Sequence, residues 1–318
     1  MSEFALCDDR VSLRKAMSAL SGSTILAFDC EGKKLGTVGG KLSFITLRSI
    51  NPRASSPEAY LVDAVKLGQE SLRPIFDLLE NELILKVVFD GRMDSSCLLH
   101  DYGVRLQNVV DLQLADVKSR VHESLQRRIA RFPRWISPWD VYQNPGRYEK
   151  IYKLSGLEQC AEEHSLIQKV FSKRQFDHSL WLERPAKEAN LKYAARDVKL
   201  ISMIFDKFVS AGYIYPNIKE DSLRYVMIWS DAQPRAGDCA RSNPFLPLNI
   251  IDYNPEARET DKCSGCSRIL PESCFSKHGW KDPRVRRCNV CHVVIGNIPM
   301  SKGIGAGSYS NTYALSLF

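Results

Sequence analysis

The chain has 318 residues, 44 Lys+Arg against 37 Asp+Glu, and 44% hydrophobic residues. That length suits one large domain or two smaller ones with a real core, and the ordinary charge and aromatic content exclude wholesale disorder and fibrous repeats. No apolar run approaches the roughly 20 residues of a membrane-spanning helix, and a net charge of +7 admits an anionic partner without naming one. The opening MSEFALCDDR lacks the basic and apolar segments of a secretory signal, so the ten cysteines are expected to stay reduced inside the cell, in nucleus or cytoplasm. Close pairs among them point to metal before disulfide.

In chain order, Val11, Leu13, Ala16 and Leu20 recur at near-helical spacing over Asp9 to Leu20. Thr24 to Phe28, Leu42 to Leu47 and Ala59 to Val62 read as strands, the last two separated by a loop from Asn51 to Pro57. Leu72 to Leu79 reads as a helix, Leu83 to Phe89 as a buried strand, and a further helix follows Asp94 through Leu98 and Leu99 to Tyr102. Val109 and Val110 mark one more short strand. This order predicts an α/β sheet, mixed rather than purely parallel, with helices packed on it.

Between Val117 and Tyr152 the pattern breaks into a stretch rich in Arg, aromatics and Pro, read either as a flap beside a cleft or as a surface loop with buried aromatic staples. Helical spacing resumes at Leu154 to His164. From Lys187 to Val209, Leu191, Ala194, Ala195, Val198, Ile201, Ile204 and Phe205 form a continuous apolar face. Asp231 to Asn243 and Asn249 to Asp261 read as irregular connecting chain, and the Gly/Ser-rich end as a flexible tail.

The run ILAFDCEG places Asp29 and Glu31 at the end of an apolar strand, two apart and therefore on one face. About four acid-x-acid triplets are expected by chance in such a composition, so location carries the signal. Two carboxylates beside an apolar strand are expensive unless something cationic compensates them. In KVVFDGRMDSSCLL, Asp90 and Asp94 follow a strand and Asp94 opens a helix, where an N-cap is its alternative role. In RPAKEANLKYAARDV, Tyr193 and Asp197 lie four apart on one helix face, the usual place for a solvated stripe.

DCEG, KVVFDGRMDSSCLL and YAARDV together resemble, in order and spacing, the three motifs of the DEDD 3′–5′ exonucleases, in the tyrosine subclass of ribonuclease D and the Werner-type exonuclease domain. LSFITL, VVDLQLAD, LSGLEQC and the RP before the last motif add to the likeness, which covers about residues 10 to 210. The resemblance implies a ribonuclease H-like mixed sheet and hydrolysis of single-stranded nucleic acid from the 3′ end, with RNA slightly preferred over DNA. It implies that Asp29, Glu31, Asp94 and Asp197 bind two Mg²⁺ or Mn²⁺ ions, and that Tyr193 orients the attacking water. Hard oxygen ligands suit such ions, and two ions about 4 Å apart can serve phosphodiester hydrolysis. Asp94 fits the family spacing better than Asp90. The alternatives are a catalytically inactive nucleic-acid-binding adaptor and a protein scaffold of the same fold.

Cys263, Cys266, Cys288 and Cys291 form two C-x2-C pairs separated by 21 residues, a strong signature for one structural Zn²⁺. Cys274, His278 and His292 are substitute donors. The segment is also similar to a small four-cysteine zinc module of fungal RNA-silencing and heterochromatin proteins. Lys277, Trp280, Lys281, Arg284, Arg286 and Arg287 lie between and around the pairs, and basic residues with aromatics suit single-stranded nucleic acid; a protein-binding finger is the alternative. The expected organisation is an exonuclease domain at 1–212, a linker or extension at 213–260, the zinc module at 261–295 and the tail at 296–318.

Overall fold

The computed structural model describes residues 3–50, 57–168, 178–235, 237 and 243–297. The expected loop at 51–56 and the tail from 298 onward lie outside the described residues, as do 236 and 238–242 of the expected connecting chain. Two compact units divide the chain, Met1–Lys118 with Ser155–Ala236 and Ser119–Leu154 with Gly237–Phe318.

The first unit runs β1 (Ala5–Cys7), α1 (Arg10–Leu20), β2 (Ile25–Lys33), β3 (Lys41–Ser49), β4 (Tyr60–Asp63), α2 (Ala64–Leu67), α3 (Arg73–Glu80), β5 (Leu85–Val88), α4 (Arg92–Tyr102), β6 (Val109–Asp111) and α5 (Leu112–Ser119). The chain then enters the second unit as α6 (Leu125–Arg131), α7 (Pro138–Gln143) and α8 (Pro145–Tyr148), and returns as α9 (Leu157–Glu163), α10 (Glu188–Ser210) and α11 (Ile218–Val226). It closes with β7 (Thr260–Lys262), β8 (Ile269–Pro271), α12 (Lys277–Lys281) and α13 (Asn289–Asn297). Among the described residues, no helix is long and apolar enough to cross a membrane.

Six strands form one sheet in the order β1-β4-β3-β2-β5-β6. β3 runs antiparallel to β2 and β4, and the other neighbours are parallel, which is the expected mixed sheet. β1 is an addition that the sequence reading missed, because three residues are too few to display a period. α1 starts where a capping box fixes it: Asp9 accepts from the Val11 and Ser12 amides at 2.8 and 2.7 Å, and the Ser12 hydroxyl accepts from Asp9 N. Val11, expected on the apolar face, is exposed, whereas Leu13, Ala16 and Leu20 are buried.

The sheet divides two cores by the period-2 alternation of its strands. Leu26, Phe28 and Cys30 of β2 join residues of α1, α3 and α4, while Ala27 joins the apolar face of α10. Asp29 and Glu31 continue the Ala27 series, so they face α10. A fork braces that side: Arg184 donates from Nε and Nη2 to the two oxygens of buried Asp63 at 2.7 and 2.8 Å, over the Phe44 ring. Removing one partner of a buried pair strands the other charge, so Arg184→Met should lower the unfolding free energy by about 3–5 kcal/mol. Urea unfolding of the full chain measures this, and a loss below about 1 kcal/mol would place the pair with ordinary surface bridges.

The second unit has its own core. Ile136, Val141, Tyr148 and Ile151 from the 119–154 stretch pack with Phe245, Leu248, Cys263, Leu270, Phe275 and Val293. Phe132 and Trp135 both stand nearly perpendicular to Phe245, each with centroids 5.9 Å away. The Arg- and aromatic-rich excursion, grouped from sequence with the exonuclease domain, therefore packs with the cysteine segment.

Candidate active site and zinc centre

β5 pairs with β2 only as far as Val87 opposite Ala27, so the end of β2 projects beyond its neighbour. The Cys30 amide there donates to Asp94 Oδ1 at 2.7 Å. Asp94 lies in the first turn of α4 but is not its cap, which is Gly91. The turn after β2 reaches α4 closely: Ser96 donates to the Gly36 carbonyl at 2.7 Å. A Cβ on Gly36 would stand 2.2 Å from Met93 O, and its φ of +66° is itself left-handed, so glycine is required.

From the other side, α10 lays Leu191, Ala194, Ala195 and Val198 into the core and turns Tyr193 and Asp197 towards β2. Carboxylate oxygens of Asp29, Glu31 and Asp197 come within 4.8 Å of one another. The Tyr193 hydroxyl donates to Asp197, and its ring tilts against Trp181 at 6.3 Å between centroids. Asp94 stands outside this group of three and joins it through the Cys30 amide and its charge.

Glu31, Asp94 and Asp197 are 8%, 7% and 8% exposed, and Asp29 is half-buried. Burial, followed by the charges of Asp94 and Asp197, raises Asp29 well above the usual carboxylate range. Burial and then Asp29 do the same to Glu31. Burial pushes Asp94 and Asp197 up to about 7 each. Tyr193 is raised by burial and stays a neutral phenol. A hard-oxygen group this crowded fits divalent cations, whose charge would relieve the repulsion.

Asp90 belongs to the support of this site. At φ +59° it pairs with Arg92, whose Nη2 donates to Oδ2 at 2.7 Å, and its own amide donates to Asp111 Oδ1 at 3.0 Å. Asp111 also accepts from the Gly91 amide at 2.9 Å, and so holds the turn that delivers Asp94. Asp111 carries one signal in the sequence, an acid ending the VV strand.

A 3′–5′ exonuclease family model matches residues 4–211. The chain belongs to this family. The mouse piRNA biogenesis protein EXD1 is 32% identical over 136 residues, covering 38% of this chain and 23% of that protein. Ribonuclease D of Nitrobacter hamburgensis is 36% identical over 73 residues, 23% of this chain and 19% of its own. The chain thus matches about a quarter or less of the length of these curated relatives. Among solved structures, Trypanosoma brucei RNase D superposes with a TM-score of 0.58 at 18% identity, over 84% of this chain and 93% of that one. Its complex with RNA U12 gives 0.56 at 19% identity, over 77% and 76%. These likenesses identify the RNase D-like fold of the exonuclease domain.

A buried contact inside the exonuclease domain passed unnoticed in the sequence: His164 Nε2 lies 3.2 Å from Asp116 Oδ1, with Cys160 alongside and Phe208 edge-on at 4.7 Å. It is a polar contact braced by the core.

In the second unit, the sulfurs of Cys263, Cys266, Cys288 and Cys291 come within 4.8 Å of one another. Cys263 Sγ accepts from the Gly265 and Cys288 amides at 3.3 and 3.2 Å, and Cys288 Sγ from Cys291 N at 3.5 Å. A Cβ on Gly265 would stand 2.8 Å from Cys291 Sγ. The knuckle closes only with glycine there, and the four sulfurs make the donor set that fits zinc. Cys274, His278 and His292 stand outside this group.

The six basic and aromatic residues singled out around the cysteines are not equivalent. Trp280 packs on Phe275 at 5.3 Å, and Arg286 lies 5.2 Å above the Trp280 ring while pairing with Asp261. Arg284 pairs with Asp282 at 3.1 Å. Lys277, Lys281 and Arg287 are exposed.

Proposed function

We propose that the exonuclease domain hydrolyses single-stranded nucleic acid from its 3′ end with divalent metal, taking RNA in preference to DNA. The observation that carries this reading is the meeting of Asp29, Glu31 and Asp197 beside Tyr193, at the projecting end of β2, in a member of the 3′–5′ exonuclease family. Asp29, Glu31, Asp94 and Asp197 hold two Mg²⁺ or Mn²⁺ ions. When bound, such ions lower the pKa of water and neutralise charge on a departing oxygen. Asp94, fixed by the Cys30 amide, keeps its carboxylate aimed at the end of β2. Tyr193, neutral and tied to Asp197, orients a water against the phosphorus. The Cys263, Cys266, Cys288 and Cys291 thiolates bind one zinc in a closed structural site. The preference for RNA is supported by the ribonuclease D relatives and by the RNA bound to the trypanosomal enzyme.

Purified full-length chain with Mn²⁺ should release mononucleotides from a 5′-labelled single strand, leave a circular strand intact, and stop with EDTA. Tyr193→Phe should slow release by about 10²-fold, the scale at which a positioned proton-handling group contributes. Internal cuts, or release indifferent to EDTA, would overturn the reading. An unchanged rate in Tyr193→Phe would return that residue to packing alone.

A further inference from the structure

The charge of the molecule is divided unequally. The first unit carries 26 Lys+Arg against 27 Asp+Glu, whereas the second carries 18 against 10, so the positive excess of the chain lies wholly in the second unit. On that unit, α7 buries Val141 in the core and presents Trp139 and Tyr142 outward, 70% and 52% exposed. They stand three residues apart, on neighbouring positions of one helix face. Solvent exposure of two large aromatics on a short helix earns nothing for folding.

Cations flank this helix in the chain. Asp140, between the two aromatics, lies 3.6 Å from Arg147. Arg134, one turn before α7, is exposed and has no ion-pair partner among the described residues. Trp280 and Arg286 are already committed to each other, whereas Trp139 and Tyr142 are the two most exposed aromatic rings among the described residues.

We infer that Trp139 and Tyr142, with Arg134 and Arg147, form a platform for single-stranded nucleic acid, two bases stacking on the rings while the arginines meet phosphates. The inference rests on the exonuclease reading for its choice of ligand and extends it by naming where the strand is held outside the acid cluster. Stacking tolerates any base, so the platform grips without selecting sequence. Each phosphate contact makes the grip salt-dependent.

The test uses the full chain in EDTA, which prevents cleavage, with a fluorescein-labelled oligo(U) strand read by anisotropy. Trp139→Ala should weaken Kd by about 10-fold and Trp139→Ala with Tyr142→Ala by about 100-fold. Trp139→Phe, which keeps a ring, should retain most of the affinity. Arg134→Gln should reduce the slope of log Kd against log salt by about one phosphate contact. Zinc content and melting temperature equal to wild type in the alanine variants show that the unit is folded. Wild-type Kd in the folded double variant would overturn the inference and leave the aromatic face to a protein partner. Binding that depends on Trp139 in a protein without hydrolysis would sink the exonuclease reading and leave this one standing; hydrolysis with binding indifferent to Trp139 would do the reverse.

Discussion

Asp29→Asn is expected to lower 3′ hydrolysis by about 10³-fold or more, because a divalent ion contributes several kcal/mol of charge stabilisation in phosphoryl chemistry. In metal-free protein the same substitution should raise the melting temperature. Burial holds Asp29 and Glu31 well above their ordinary range, reinforced by the charges of Asp94 and Asp197 at Asp29 and of Asp29 at Glu31, so ionising the cluster opposes folding. The sign follows from linkage. Groups whose folded pKa is raised bind protons more tightly when folded, so metal-free stability is highest below the ordinary carboxylate range. It falls as pH rises towards about 7, where Asp94 and Asp197 lose their protons. The gap between Asp29→Asn and wild type should therefore widen from pH 5 to pH 8. Mn²⁺ should close it by stabilising wild type, and more strongly at the higher pH because ligands must be deprotonated. Thermal melts with EDTA and with Mn²⁺ at several pH values measure all of this. A wild type more stable than Asp29→Asn in EDTA at pH 8 would show that the cluster is compensated from within the protein.

Cys288→Ser should release zinc and unfold the second unit as a whole, leaving the first unit folded. Structural zinc contributes about 10 kcal/mol or more of apparent free energy in small modules, far beyond what this short segment's few apolar side chains supply. The consequence extends further than the cysteines, because Cys263, Cys288 and Cys291 share one core with Ile136, Val141, Tyr148 and Ile151. The Phe132 and Trp135 contacts to Phe245 tie the same two stretches. Hydrogen exchange should therefore lose protection over α6, α7 and α8 together with α12 and α13, while β2, β3 and α10 keep theirs. Protection retained over 125–148 in a zinc-free variant would contradict the shared core. Elemental analysis giving no zinc in wild type would remove its metal.

The sequence by itself determined the elements whose period is local and the residue types that carry chemistry. Alternation in ILAFDCEG set Asp29 and Glu31 on one face, four-residue spacing set Tyr193 with Asp197, and two C-x2-C turns announced a tetrahedral sulfur site. These signals survive because a strand or helix imposes its repeat on neighbouring residues whatever surrounds them. Tertiary structure alone decided who meets whom across long separations. The Cys30 amide finds Asp94, 64 residues on, only because β5 stops short of it. Asp90 is drawn to Arg92 and Asp111 by the sharp turn it occupies. Arg286 and Trp280 satisfy each other instead of facing solvent, and the 119–154 excursion leaves the exonuclease fold to pack against the cysteine segment. Such choices follow from which groups are desolvated together once the chain has closed, and local spacing carries no record of that burial.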